Sequence, residues 1–142
     1  MNKNRKLISG LAVVLVLIAM SGCTAPKPAG LTTEQVASIT ENTLKAIDAN
    51  DYQEFTHDFS DKMNSTFTQA QFDGLRSLLQ NASGNYVSLG TPSLTNAQGY
   101  AIYRFPAKYA NEIVFVTITF LEGGQKVEGL FFDSVNLRKA SK

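Results

Sequence analysis

The chain has 142 residues, with 13 Lys and Arg against 12 Asp and Glu and a formal net charge of +1. The charges are interspersed, with no basic stripe to neutralise phosphates, so nucleic acid is excluded as the expected partner. One cysteine excludes a disulfide framework and a cysteine-built metal cluster, and a chain of this size buries a single core, roughly two-thirds of its unfolded surface.

The first residues carry Lys3, Arg5 and Lys6, followed by an apolar run from Leu7 to Met20. That run falls short of the roughly 20 apolar residues needed to span a bilayer, and it has the form of a secretory signal. Met20-Ser21-Gly22-Cys23 then resembles the lipobox of prokaryotic lipoproteins, in which the cysteine thiol is lipidated and the cysteine becomes the new N-terminus. The resemblance implies a signal peptide over residues 1–22 and membrane lipid, palmitate included, attached through Cys23. It also implies a protein exported and anchored to the outer face of the cell membrane, or to the outer membrane of a two-membrane host. Without residues 1–22 the balance is 10 basic against 12 acidic residues, a net charge of −2. Residues 23–30, with Pro26 and Pro28, read as an extended tether of about 3 Å per residue, and residues 31–142 as the domain.

Three helix starts follow. Thr32 with Gln35, Asp51 with Glu54 and Thr68 with Gln71 each have capping-box spacing. The first helix carries Val36, Ile39, Leu44 and Ile47 on one stripe and ends at Asn50. The second presents Tyr52, Phe55 and Phe59 at i, i+3 and i+7. Ser60–Ser65 reads as a turn or one loose helical turn. The third capped helix turns Phe72, Leu75, Leu78 and Leu79 inward and stops near Gly84, which suits a left-handed cap.

Beyond Gly84 the period becomes strand-like. Tyr86, Val87 and Leu89 form a first strand, and Leu94–Gln98 reads as a loop or irregular edge. Tyr100–Tyr109 is a second strand, with Pro106 marking an edge or bulge at its far end. Glu112–Leu121 is a third, with Val114, Val116, Ile118 and Phe120 on the buried face. A Gly123-Gly124 hairpin leads to a fourth strand, Lys126–Asp133, with Val127, Gly129 and Phe131 on one side. Leu130 and Phe132 break that alternation. Leu137–Lys142 reads as a basic tail. Helices followed by an antiparallel meander predict an α+β fold, with the N-terminal helices packed on a curved sheet of about four strands.

The run Ala46-Ile47-Asp48, Asp51-Tyr52, Phe55, Phe59, Met63, Thr68, Phe72, Leu75 and Leu79, then Gly84-Asn85-Tyr86, resembles the Domain of Unknown Function 3887 family. The close Val127-Glu128-Gly129-Leu130-Phe131-Phe132 is similar to that family's end. That resemblance implies a cone-like domain similar to the nuclear transport factor 2-like (cystatin-like) superfamily, where the space between sheet and helices is a pocket in some members and plain core in others. It carries over no catalytic residues.

The residues themselves point to little chemistry. His57 is the only histidine, and Asp58 and Asp61 beside it lack the multi-ligand spacing of a metal site; no metal and no cofactor are expected. No Gly-x-Ser-x-Gly motif occurs. Asn64-Ser65-Thr66 and Asn81-Ala82-Ser83 fit a glycosylation sequon, as chance allows in a chain rich in these residues. The candidate pocket is aromatic, lined by Phe72, Tyr86, Tyr103 and Phe115, and suits a small apolar ligand. The candidate interface is Leu130 and Phe132, with Phe115, on the second face of the sheet, where a homodimer would form. The expected function is a non-catalytic lipoprotein domain that binds a partner protein or small ligand. The alternatives are a dimerising assembly module, or a pocket enzyme of the isomerase or dehydratase type, which needs a buried acid or histidine in its cavity.

Overall fold

The computed structural model describes residues 25–142. The expected signal segment, the lipobox and Cys23 lie outside the described residues. Among those described, no helix is long and apolar enough to cross a membrane.

The caps act where the sequence puts them. Thr32 Oγ1 accepts the Gln35 N–H at 3.2 Å and Gln35 Oε1 accepts the Thr32 N–H at 2.9 Å, which starts α1 (Thr33–Ala49). Asn50 ends α1 in the left-handed conformation, φ 59°, which asparagine tolerates better than most residues. Asp51 caps α2 (Tyr52–Thr56) through the Glu54 N–H alone. This helix stops before Phe59, which leaves it for an isolated parallel bridge to Val127 on the sheet. Ser60 caps α3 (Asp61–Thr66), and Thr68 with Gln71 forms a second full box at the start of α4 (Gln69–Ala82). Gly84, at φ 81°, donates to the Leu79 and Gln80 carbonyls and turns the chain out of α4.

Five antiparallel strands follow: β1 (Tyr86–Leu89), β2 (Ser93–Ala97), β3 (Tyr100–Tyr109), β4 (Ile113–Leu121) and β5 (Val127–Asp133). The segment expected to be a loop is β2. It lies end to end with β1 along one edge of β3, so five strands make an open sheet four strands wide. The two part at Gly90–Pro92, where the Gly90 N–H donates to the Pro106 carbonyl at 2.8 Å. The donor that Pro106 lacks faces this same gap, so no ladder bond is lost there. The expected basic tail holds a last helix, α5 (Val135–Ala140).

One face of the sheet is sealed by helices. Ala101, Tyr103, Phe105, Ala107 and Tyr109 of β3 and Val114, Val116, Ile118 and Phe120 of β4 are buried, as the alternation predicts. They meet Val36, Leu44 and Ile47 of α1, and an aromatic knot in which Phe55 packs against Phe59, Phe67 and Phe72 at 4.9–5.3 Å between ring centroids. Burial is worth about 1.5–3 kcal/mol for each large apolar side chain, so this face dominates stability.

β5 breaks phase. Thr119 pairs with Gly129 but Phe120 pairs with Val127, so Glu128 is an extra residue in a β-bulge. Beyond it Leu130 and Phe132 stand opposite Ile118 and Val116, on the helix side, while Phe131 opposite Thr117 faces out. The expected shared face of Val127, Gly129 and Phe131 is therefore corrected: the bulge reverses every residue after it.

Of the stretch read as a tether, Lys27–Gly30 lies on the sheet. Asn96 Nδ2 donates to the Lys27 carbonyl at 2.8 Å, and the Gly123 N–H to the Pro28 carbonyl at 3.2 Å. The Ala29 N–H donates to the Tyr103 hydroxyl at 3.1 Å and the Gly30 N–H to the Gly124 carbonyl at 2.7 Å. Ala29 is buried in the core. A side-chain carbon on Gly30 would collide with the Gly123 carbonyl oxygen, so only glycine permits this approach.

Candidate functional site

The four aromatic residues expected to line one pocket do not meet in one. Phe72 and Tyr103 are sealed core, and the Tyr103 hydroxyl is occupied by the Ala29 N–H. Tyr86 sits on β1 at the sheet edge, edge-on to Tyr109 at 5.9 Å. Phe115 is on the outer face of the sheet, under the Arg104 guanidinium at 3.9 Å. Nor do Leu130 and Phe132 stand on the second face. The bulge at Glu128 turns both toward the helices, where they are half-buried. Replacing them with serine would strike the helix side of the sheet, not an outward patch.

What they line is a groove of about 350 Å³. Its floor is β5 from Leu130 to Phe132, and its walls are Met63 and Phe67 from the α3 end, Leu75 and Leu78 from α4, and Leu137 and Ser141 from the α5 end. The groove exists because different helices cover different strands. The helix-facing residues of β3 and β4 are sealed in the core, whereas β5 is approached by the short helices α3 and α5, and its Leu130 and Phe132 stay half-buried. The lining offers one side-chain hydroxyl, Ser141, and no ionisable side chain. Such a surface can take up an apolar group from water and can do little proton chemistry.

α5 is held over this groove by one carboxylate. Glu112, after the β3–β4 turn, accepts from the Ser83 hydroxyl at 2.6 Å and the Ser134 hydroxyl at 2.7 Å, and its other oxygen accepts the Asn136 N–H at 3.2 Å. Burial pushes its carboxyl up, but these bonds and the nearby Lys139 outweigh that and hold it below the usual range. Ser134 also caps α5 by accepting the Leu137 N–H at 3.1 Å, and Arg138 Nη1 donates to both Asp133 carboxylate oxygens at 3.0 and 3.1 Å.

A second polar cluster lies where α1 meets β1. Asp48 Oδ2 accepts the Tyr86 N–H at 2.9 Å, and the Tyr86 hydroxyl reaches Glu41 at 3.4 Å. Burial raises the Asp48 carboxyl, against the lowering effects of the Tyr86 N–H and Arg76. Burial and the Glu41 charge push Tyr86 up to about 12. Burial, then Asp48 and Tyr86, lift Tyr109 further; its buried hydroxyl makes no hydrogen bond among the described residues. Asp48 is a half-buried acid that sequence reasoning missed, since its helix stripe is counted on apolar residues. It joins α1 to the sheet and lies apart from the groove.

His57 caps the end of α2 with its side chain 69% exposed, 3.2 Å from Asp58. Among the described residues, no three His, Cys, Asp or Glu side chains gather as they would around a metal ion.

A family model described as "Protein of unknown function (DUF3887)" matches residues 40–130. No curated protein and no solved structure matches the chain.

Proposed function

The chain belongs to the DUF3887 family, and we propose that it is a lipid-anchored extracytoplasmic protein whose domain binds an apolar ligand, or the apolar end of a partner, in the groove between β5, α3, α4 and α5. One observation carries the binding reading: beside the fully covered inner faces of β3 and β4, the bulge at Glu128 turns Leu130 and Phe132 toward a space that no side chain among the described residues fills. The reading is non-catalytic because the groove's lining brings one hydroxyl and no acid or base to a bound group. The lipobox-like run ending at Cys23 supports the anchor. Helices packed on one face of an open antiparallel sheet support kinship with the nuclear transport factor 2-like superfamily.

The test is uptake of the neutral fluorescent probe N-phenyl-1-naphthylamine by the full chain. Leu130→Gln should weaken binding tenfold or more, while Ile113→Gln on the exposed outer face leaves it unchanged. Equal binding by both variants would remove the groove from the reading. Mass spectrometry of protein from its native membranes tests the anchor, which requires cleavage before Cys23 and added acyl mass.

Assembly through the outer sheet face is a second reading, favoured by Phe131, 64% exposed there beside Phe115. Sedimentation decides it: a dimer that Phe131→Ser converts to monomer supports it, and a monomeric native protein removes it.

A further inference from the structure

We propose that a lipid on Cys23 stands the domain on one end of its sheet, with the β2–β3 and β4–β5 turns against the lipid head groups and the groove held away from them. This rests on the anchor proposed above and deepens it. The observation that carries it is the docking of Lys27–Gly30, whose hydrogen bonds run to Asn96, Tyr103, Gly123 and Gly124. Three residues lie between Cys23 and Lys27, so the span is at most about 14 Å, against about 25 Å for a chain free as far as Gly30. A leash that short, fixed at one end of the sheet, sets orientation as well as distance.

The end so placed is one surface, because the Glu122 N–H of the second turn donates to the Gly99 carbonyl of the first at 2.9 Å. It also suits a head-group boundary. Lys27 and Lys126 are exposed there, and Tyr100 and Leu121 face each other on the last rung of the outer face, Leu121 47% exposed. Side chains with an apolar body and a polar tip settle at such boundaries. From Val127, β5 runs away from this end at about 3.3 Å per rung, and with Glu128 as the extra residue of the bulge, Leu130 and Phe132 lie about 7–13 Å further out. The groove therefore loads from the aqueous side, and its ligand is water-borne and not drawn from the bilayer.

The chain has no tryptophan, so single tryptophans report cleanly. Ala97→Trp and Lys108→Trp place one on exposed positions toward opposite ends of the sheet. The acylated protein is reconstituted into phosphatidylcholine vesicles doped with a head-group spin label. Quenching several-fold stronger for Ala97→Trp is the expected result, and equal quenching, or the reverse, overturns the proposal. Adding Gly30→Val breaks the docking at its closest approach and should bring the two signals toward parity with the circular dichroism unchanged; a difference that persists would show that the docked segment does not set the orientation. If the native protein proves to carry no acyl group, the mass spectrum fails the anchor reading separately. The sole thiol is then coupled to a maleimide lipid, and the same two variants decide the orientation.

Discussion

Ile118 and Leu130 stand opposite each other on one rung of the sheet, on the same face, and only one of them is core. Ile118 is fully buried beneath the helices; Leu130 is half-buried and lines the groove. The two residues have nearly the same size and hydropathy. What separates them is how completely each is covered, so the groove is a shortfall of cover at β5 and not a special composition. It follows that β3 and β4 should hold most of the stability, and β5 with α5 most of the freedom to respond to a ligand.

The largest break in that contrast comes from Val116, fully buried at the middle of β4. Val116→Asp leaves a carboxylate in the core with no partner and should cost at least about 4 kcal/mol, enough to abolish the cooperative urea transition. The paired test is Ile118→Ala against Leu130→Ala. The first should lose about 3–4 kcal/mol and the second about 1–2 kcal/mol by urea titration, because a half-exposed side chain leaves less cavity behind. Equal losses would mean that the groove is closed in solution.

A smaller effect sharpens the comparison at α5. Glu112→Gln weakens charge-assisted bonds to Ser83, Ser134 and the Asn136 N–H and should cost about 1 kcal/mol, with faster hydrogen exchange confined to α5 and its junction with β5. The Glu112 carboxyl is held below its usual range, so its contribution is present above the unfolded value of about 4.3 and fades as pH falls through the lower folded value. In acid, below about pH 4, the native protein should lose protection at α5, and the Gln variant should show less of that dependence. Smallest of all is Tyr109→Phe. Its hydroxyl makes no bond among the described residues, so removal should change the melting midpoint by the equivalent of about 1 kcal/mol or less, in the stabilising direction. A clear loss would show that the hydroxyl has a partner.

How far the sequence disclosed this follows the range of the interactions. Thr32 with Gln35 and Thr68 with Gln71 announce their helices because a capping box is complete within four residues. The buried faces of β3 and β4 follow from alternation alone. β2 was hidden because Thr95, Asn96 and Ala97 are exposed and carry no apolar period; its pairing with β3 defines it. The bulge left a trace, the break in alternation at Leu130 and Phe132, but one break does not say which residue is extra. Thr119 and Phe120, on the neighbouring strand, say so by their partners. The groove was hidden for a related reason. Met63, Leu75, Leu78 and Leu137 are ordinary core-type residues, and only the spacing of α3, α4 and α5 leaves a space among them. Docking of Lys27–Gly30 runs against the composition of residues 23–30, where Pro26, Pro28 and small residues promise a free spacer; the glycines of the hairpin, far along the chain, receive it.

The bridge between Phe59 and Val127 has a consequence for solubility. β5 is the last strand of an open sheet, and an unpaired strand edge invites the same strand of another copy to add to it. The Val127 N–H is already given to the Asp58 carbonyl and the Val127 carbonyl already accepts the Ser60 N–H, so the edge is blocked where it begins. At its other end the chain turns at Ser134 into α5, and at the opposite side of the sheet the gap at Gly90–Pro92 interrupts the other edge. A protein crowded on a lipid surface, as proposed for this one, meets its own copies far more often than one dispersed in solution. In this chain neither edge offers a long uninterrupted template on which such meetings could turn into fibrils.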